Sequence, residues 1–198
     1  KTESLSAKEI SNSSYEEALK WYTNLAGSGN AYAQCVLGYY YEHAEYSRSS
    51  IEKAFSWYKK ASDASYIPGK YYLAQCAYTY KALLEHAEIL SLTKTACDAG
   101  FPAAQYFYST LHYYDYLNNN DVNKITVLLE QAAEAGYEKA YMSLADIYRY
   151  AYDLEGSAEK AYFYEQLAAE NNDPEAYRSI AVDYQYGYSE RETNILMA

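Results

Sequence analysis

The stretch Tyr15–Gly38, YEEALKWYTNLAGSGNAYAQCVLG, carries a pattern that the chain writes five times. With Gly29 as anchor, Trp21 stands eight residues earlier and Ala18 three before that, while Ala33 follows the anchor by four and Leu37-Gly38 close the unit. The same offsets return around Ser65, Gly100, Gly136 and Asn172, at steps of 36, 35, 36 and 36 residues. The tryptophan position reads Trp21, Trp57, Leu92, Leu128 and Tyr164, and three before it come Ala18, Ala54, Ile89, Ile125 and Ala161. Four after the anchor stand Ala33, Gly69, Ala104, Ala140 and Ala176. Large residues recur where large ones are expected and small where small. The chain is a repeat array.

A period in this range predicts an all-α solenoid of about five 36-residue helix-turn-helix repeats, in which no unit buries its apolar face alone. Units fall at about 13–48, 49–85, 86–120, 121–156 and 157–188, after a polar extension over 1–12 and before a continuation or cap over 189–198. The first helix is expected to start near Ser14, with Ser14 and Glu17 as a capping box, and the third with Ser49 and Glu52. Asn30 is placed to cap the second helix, and the run Asn118-Asn119-Asn120-Asp121 to cap the fourth unit. Pro68, Pro102 and Pro174 lie two or three residues beyond their anchors, in the first turn of each second helix, where a missing amide costs nothing. No alternating run or Asn-Gly hairpin suggests a strand, and no Pro/Gly/Ser-rich linker marks a domain boundary.

Half of the residues are apolar, enough for a continuous core, and the net charge of −11 argues against a nucleic-acid backbone as partner. An acidic balance suits a basic partner and is also an ordinary route to solubility. There is no apolar run long enough for a membrane span. Lys1 in place of methionine reads as a mature form or a cut piece, so the lack of a visible signal peptide says nothing about export. The 29 tyrosines are unusual. Tyr22, Tyr41, Tyr58, Tyr148 and Tyr184 fall at helix-packing positions, whereas Tyr15, Tyr32, Tyr46, Tyr66, Tyr137 and Tyr152 fall near helix starts or loops, freer to meet a partner.

With the offsets laid out, the pattern resembles the Sel1-like repeat family, a relative of tetratricopeptide (TPR) repeats. Ala18, Trp21, Tyr22, Ala26, Gly29, Ala33, Leu37, Gly38 and Tyr41 match that family's unit in the first repeat, and Ala161, Ala168, Ala169, Ala176 and Tyr184 in the fifth. The third unit departs, with Leu92-Thr93 in place of Trp-Tyr, and the glycine-rich loop between units survives only near Tyr186-Gly187. The resemblance implies a right-handed superhelix of antiparallel helix pairs working as an adaptor or scaffold. Family members act in quality control at the endoplasmic reticulum, in cell-wall regulation, and in bacterial signalling and host interaction, which favours a bacterial envelope or secreted setting over the cytoplasm. A cysteine-rich branch staples each unit with a disulfide, but Cys35, Cys76 and Cys97 do not keep that spacing, and three buried small hydrophobes is the reading here. The tryptophan-position side chain is expected between the two helices of its own unit, as scaffold.

No catalytic residue, cofactor or metal ligand set is expected. His43 and His86 open H-x-E triplets without the P-C-x-x-C that would complete a zinc deaminase site, H-E-x-x-H is missing, and His112 holds a packing position. Phosphate loops and G-x-S-x-G are also missing. If the first helix of each unit lines the concave side, as in related folds, a stripe beside its apolar face is offered to partners. Its candidate binding residues are Lys53, Lys60, Lys124, Val127, Gln131, Lys160, Phe163 and Leu167, and it turns apolar toward the C-terminal end. A merely solvated face is the competing reading. The expected function is a non-enzymatic module that binds another protein or peptide, a basic one by charge, with no nucleic acid and no membrane insertion. The alternatives are an immunity protein occluding a secreted toxin, a hydrolase acting on a cell-envelope substrate, and a structural spacer.

Overall fold

The computed structural model describes residues 7–44, 47–81, 84–118, 122–150 and 157–186, and among these it holds ten α-helices and no strand. They are α1 (Ala7–Gly27), α2 (Ala31–Ala44), α3 (Arg48–Asp63), α4 (Ile67–Tyr80), α5 (His86–Asp98), α6 (Pro102–Asn118), α7 (Val122–Glu134), α8 (Lys139–Tyr150), α9 (Ser157–Glu170) and α10 (Pro174–Tyr186). They form two compact units, Lys1–Tyr108 and Ser109–Ala198, with the division inside α6. In the first, α2 packs between α1 and α3, and α4 between α3 and α5; in the second, α8 packs between α7 and α9, and α9 meets α10.

The repeat anchors are where the chain turns. Gly29, Ser65, Gly100, Gly136 and Asn172 take positive φ, at 95°, 60°, 76°, 79° and 61°. In each hairpin the anchor's N–H donates to the carbonyl three residues before, and the next N–H donates to the carbonyl five before it, as in Gly29 to Ala26 and Asn30 to Leu25. The same pair recurs through Asp173 to Ala168. This pair of hydrogen bonds is a left-handed helix cap that satisfies two carbonyls left over at the helix end, and it explains why glycine is preferred there.

Helix starts agree only in part with expectation. Asn30 Oδ1 accepts from the Ala33 N–H at 2.9 Å, and Asp173 Oδ1 from the Glu175 N–H at 2.8 Å. Pro102 and Pro174 open α6 and α10, and Pro68 is the second residue of α4. But α1 begins at Ala7, so Ser14 is a helix-interior residue; nothing between 7 and 14 is proline or glycine, and the helix runs back through the polar residues. The cap of α3 is Ser47, whose side chain accepts from the Ser50 N–H at 3.2 Å, and Ser49 lies in the first turn. Glu52 is then engaged by Arg48, at 3.1 Å, instead of reaching back. Asn119, Asn120, Asp121, Tyr46, Tyr152, Gly187 and the terminal segments lie outside the described residues.

In the first unit the slot between hairpins is filled by Tyr58, one residue after the tryptophan position and fully buried. Its neighbours in the core are Cys35 of α2, Ile51, Ala54 and Ala61 of its own helix, and Leu73 and Cys76 of α4. Two glycines permit this. A Cβ on Gly38 would strike the Tyr58 ring, and one on Gly69 would come within 2.7 Å of Ala61 Cβ. Trp57, by contrast, is half-buried and packs on Ala26, Ala33 and Leu37 of the preceding hairpin. The tryptophan therefore faces the preceding hairpin and does not sit between its own two helices. Trp21 has no hairpin before it among the described residues and is 59% exposed. It does not act as core.

The second unit uses the same slot differently. Ile125, Leu129, Ala132, Ala140, Leu144, Ala145, Ala168 and Ala176 form its apolar interior, yet the slot after Tyr164 holds Glu165, also fully buried. Arg149 Nη2 donates to Glu165 Oε1 at 2.5 Å, Nη1 donates to Ser179 Oγ at 2.7 Å, and Asp183 lies 3.8 Å from the guanidinium. Burial works against the Arg149 charge, but Glu165, by hydrogen bond and by charge, and then Asp183 hold its pKa above the usual arginine value.

The three cysteines are buried and unbonded, as small core residues. Burial pushes the thiols of Cys35 and Cys76 up to about 12 and that of Cys97 to about 11.

Candidate functional site

The stripe beside the apolar face of the first helices comes out on exposed ground. Lys53 and Lys60 are exposed on α3, Lys124, Val127 and Gln131 on α7, and Lys160 and Phe163 on α9. Leu167 does not follow them. It is half-buried, although Lys60 and Gln131 at the same repeat offset are exposed.

In the first unit the lysines lie over rings. Lys53 Nζ sits 5.3 Å from the Tyr41 ring centroid, and Lys60 Nζ 4.0 Å from that of Trp57. Such ring faces attract a cation and cover its stem. In the second unit, Lys160 Nζ sits 4.7 Å from the Tyr148 centroid and donates to the Tyr148 hydroxyl at 3.0 Å and to Glu130 Oε1 at 3.3 Å. Tyr148 in turn donates to Glu130 Oε1 at 2.6 Å. The Tyr148 and Glu130 oxygens hold the Lys160 ammonium above the ordinary lysine range. Burial, with the Glu130 charge behind it, pushes Tyr164 up to about 12.

Glu130 and Lys160 tie α7 to α9, so that these two first helices are linked through α8. Val127 and Phe163 occupy the same repeat position on the two, one before the tryptophan position, and are 50% and 56% exposed. Phe163 makes an edge contact with Tyr164, ring centroids 5.2 Å apart. The result is a surface with two apolar projections and a rim of Lys124, Gln131, Lys160 and Glu130. Of the expected site residues, the structure joins Lys160 directly to Glu130 and Tyr148, neither of which the stripe offsets named. The signal was there: Tyr41 and Tyr148 both stand twelve after their anchors, and Lys53 and Lys160 both stand twelve after those tyrosines.

The tyrosines divide otherwise than expected. Tyr58 and Tyr148 are buried, Tyr22 and Tyr41 half-buried, but Tyr184, expected to pack, is exposed. Tyr15 and Tyr32 are exposed as expected, whereas Tyr66 and Tyr137 are half-buried. Among the described residues no helix is long and apolar enough to cross a membrane, and no group of three or more His, Cys, Asp or Glu side chains gathers to hold a metal.

No family model and no curated protein matches the chain. Solved structures do. A Sel1 repeat protein from Oxalobacter formigenes superposes with a TM-score of 0.71 at 26% identity, over 87% of this chain and 69% of that one. A protective antigen present in uropathogenic Escherichia coli strains, displaying an SLR (Sel1-like repeat) fold, superposes with a TM-score of 0.69 at 23% identity. That match covers 85% of this chain and 36% of the antigen, and it speaks to fold alone. The spacing of the anchors, the five alike helix caps and these superpositions agree: the chain has the all-α helical-hairpin fold of Sel1-like repeat proteins.

Proposed function

We propose that the protein is a non-enzymatic interaction module that captures another protein or a peptide segment on the outward side of α7 and α9. The observation that carries this reading is the pair Val127 and Phe163, large apolar side chains standing in solvent at equivalent positions of linked helices. Exposed apolar anchors within a polar rim are the make-up of a binding surface. The partner presents an apolar or aromatic side chain to this pair, and the chain's net charge of −11 favours a basic partner at long range, although Lys124 and Lys160 outnumber Glu130 in the rim itself.

A peptide library selected on the immobilised protein tests the reading. Selected sequences should carry aromatic or branched apolar residues beside lysine or arginine, and their binding should weaken as salt rises. Val127→Glu with Phe163→Glu, both on exposed positions, should leave the helical circular dichroism and Tm in place and weaken binding about tenfold or more. Peptides that bind this double variant as tightly as the parent would place the binding surface elsewhere. Leu167 is left unchanged, because its half-burial would confuse loss of binding with loss of fold.

A further inference from the structure

Val127 and Phe163 stand on different helices, so the gap between them depends on what fixes α7 against α9. A cluster of three side chains does this. Tyr148 of α8 donates its hydroxyl proton to Glu130 Oε1 at 2.6 Å, and Lys160 Nζ donates to that hydroxyl oxygen at 3.0 Å and to Glu130 Oε1 at 3.3 Å. Glu130 comes three residues after Val127 on α7, and Lys160 three before Phe163 on α9. At that spacing each shares a helix face with its apolar neighbour, one turn away. Tyr148 also stacks on Tyr164, ring centroids 6.0 Å and planes 6° apart, and Tyr164 is the ring that Phe163 touches. The repeat supplies its own comparison. The positions of Glu130, Tyr148 and Lys160 read Thr23, Tyr41 and Lys53 at the first hairpin junction. The carboxylate and phenol positions read Lys59 and Ala77 at the second, and Lys94 and His112 at the third. The positions of Val127 and Phe163 read Lys20, Ser56 and Ser91 in the first three units. The complete set of three therefore falls at the junction flanked by two large apolar residues, and at no other. Where tyrosine and lysine recur without the acid, Lys53 Nζ stays 5.3 Å from the Tyr41 centroid, and Thr23 donates to the Leu19 carbonyl of its own helix at 2.7 Å.

We infer that Tyr148, Glu130 and Lys160 are positioning residues of the interaction surface: they lock the gap between Val127 and Phe163, and so set the size of the partner side chain admitted there. The inference rests on the binding role proposed above and adds selectivity to it. Tyr148 carries the lock. Its ring is buried, so a partner does not touch the hydroxyl, and whatever the loss of that hydroxyl does to binding passes through the helices. Without it, α7 and α9 keep only the 3.3 Å pair of Lys160 and Glu130, partly exposed and of the kind that holds little. The two apolar side chains would still be present and still exposed, but at a spacing that yields to whatever is inserted.

Tyr148→Phe tests this, because it removes the hydroxyl and keeps the ring on Tyr164. Two measurements are needed. In the first, nitroxides are attached through Asn123→Cys and Glu159→Cys, exposed and equivalent positions of α7 and α9, while the three native thiols are buried. Continuous-wave EPR should show dipolar broadening in the parent, and Tyr148→Phe should reduce or spread it. In the second, a library-selected peptide is remade with Ala, Val, Leu, Phe or Trp at its anchor position. Against the parent, binding should strengthen about fourfold for each added methylene. It should then fall about tenfold once the side chain outgrows the gap. Against Tyr148→Phe the fall should vanish, with the largest side chain bound best. A uniform loss across the series, which a merely structural role would give, overturns the inference. An unchanged maximum or an unchanged EPR spectrum does so as well. Peptides indifferent to Val127→Glu with Phe163→Glu would overturn the surface itself, and the inference with it, whatever the spin labels show.

Discussion

Tyr58 and Glu165 occupy one position of the repeat, the residue after the tryptophan position, in different compact units, and both are fully buried. Each is bonded to the residue sixteen before it in sequence, at the same place on the preceding second helix. In the first unit the Tyr58 hydroxyl donates to Glu42 Oε2 at 2.8 Å; in the second the Arg149 guanidinium donates to Glu165 Oε1 at 2.5 Å. The fold thus asks the slot for a side chain that fills space and reaches one polar partner. A ring with a hydroxyl tip does this with little charge to desolvate. A carboxylate does it only because a guanidinium, itself held by Ser179, meets it. The apolar solution demanded a glycine opposite, Gly38, whereas the ionic one sits with Ala145 at that register.

The two solutions differ most at Arg149. Arg149→Met takes the cation away from buried Glu165, and should cost about 3–5 kcal/mol. Adding Glu165→Leu replaces the pair with apolar groups of similar size, and should bring stability back to within about 1 kcal/mol of the parent or above it. Denaturant unfolding of the two variants decides. A single variant that costs almost nothing would mean that water reaches Glu165.

Between about pH 8.5 and 10 alkaline pH separates the units by a smaller effect; above that Tyr164 of the second unit, pushed up to about 12, adds its own loss. Cys35, Cys76 and Cys97 all lie in the first unit, and burial raises their pKa values to about 12, about 12 and about 11. The folded chain keeps these protons after the unfolded chain has begun to lose them. Their contribution is therefore fully present below about pH 8.5, the free thiol value, and is lost as pH rises from there toward 12. A lag of one pH unit amounts to about 1.4 kcal/mol per group. Cys35→Ala with Cys76→Ala should flatten the fall in stability between those limits, whatever offset the lost sulfur volume adds at neutral pH. Glu165→Leu should leave the alkaline slope as it was. Equal slopes in the parent and the cysteine variant would remove the thiols from the account.

Much of this fold was legible in the sequence because backbone geometry left a mark on residue type. The five anchors were found by spacing, and all five are the left-handed caps that favour glycine. The prolines and Asn30 were legible for the same reason. What spacing did not supply was direction. Tryptophan is the largest residue of the motif and so reads as core, yet the adjacent residue is the buried one, and Trp57 reaches the hairpin before it. Whether Trp21 is covered depends on a neighbour, which no local pattern records. Glu165 reads as a surface carboxylate until Arg149, sixteen residues back, is set beside the matching pair Glu42 and Tyr58. In the candidate site the offsets gave the exposed lysines, Val127 and Phe163. They missed the Tyr148–Glu130–Lys160 link, which needs three helices at once, and overextended to Leu167.

The smallest effect lies at the anchors, where each unit has one that is not glycine. Ser65 holds φ at 60° and Asn172 at 61°. For an ordinary residue this conformation costs about 1–2 kcal/mol, and asparagine bears it best because its side chain bonds locally. Glycine removes the cost but loses about 0.5–1 kcal/mol to its freedom in the unfolded chain. Ser65→Gly should therefore stabilise the protein by about 0.5–1 kcal/mol, and Asn172→Gly by close to nothing. Gly136→Ala, at φ 79°, should destabilise by about 1 kcal/mol as the converse control. No atom lies within 4 Å of a Cβ placed on Gly136, so the control reads backbone conformation and not a clash. If Ser65→Gly lowers Tm while Gly136→Ala leaves it alone, the caps do not set the turns, and the equivalence of the five hairpins rests on core packing instead.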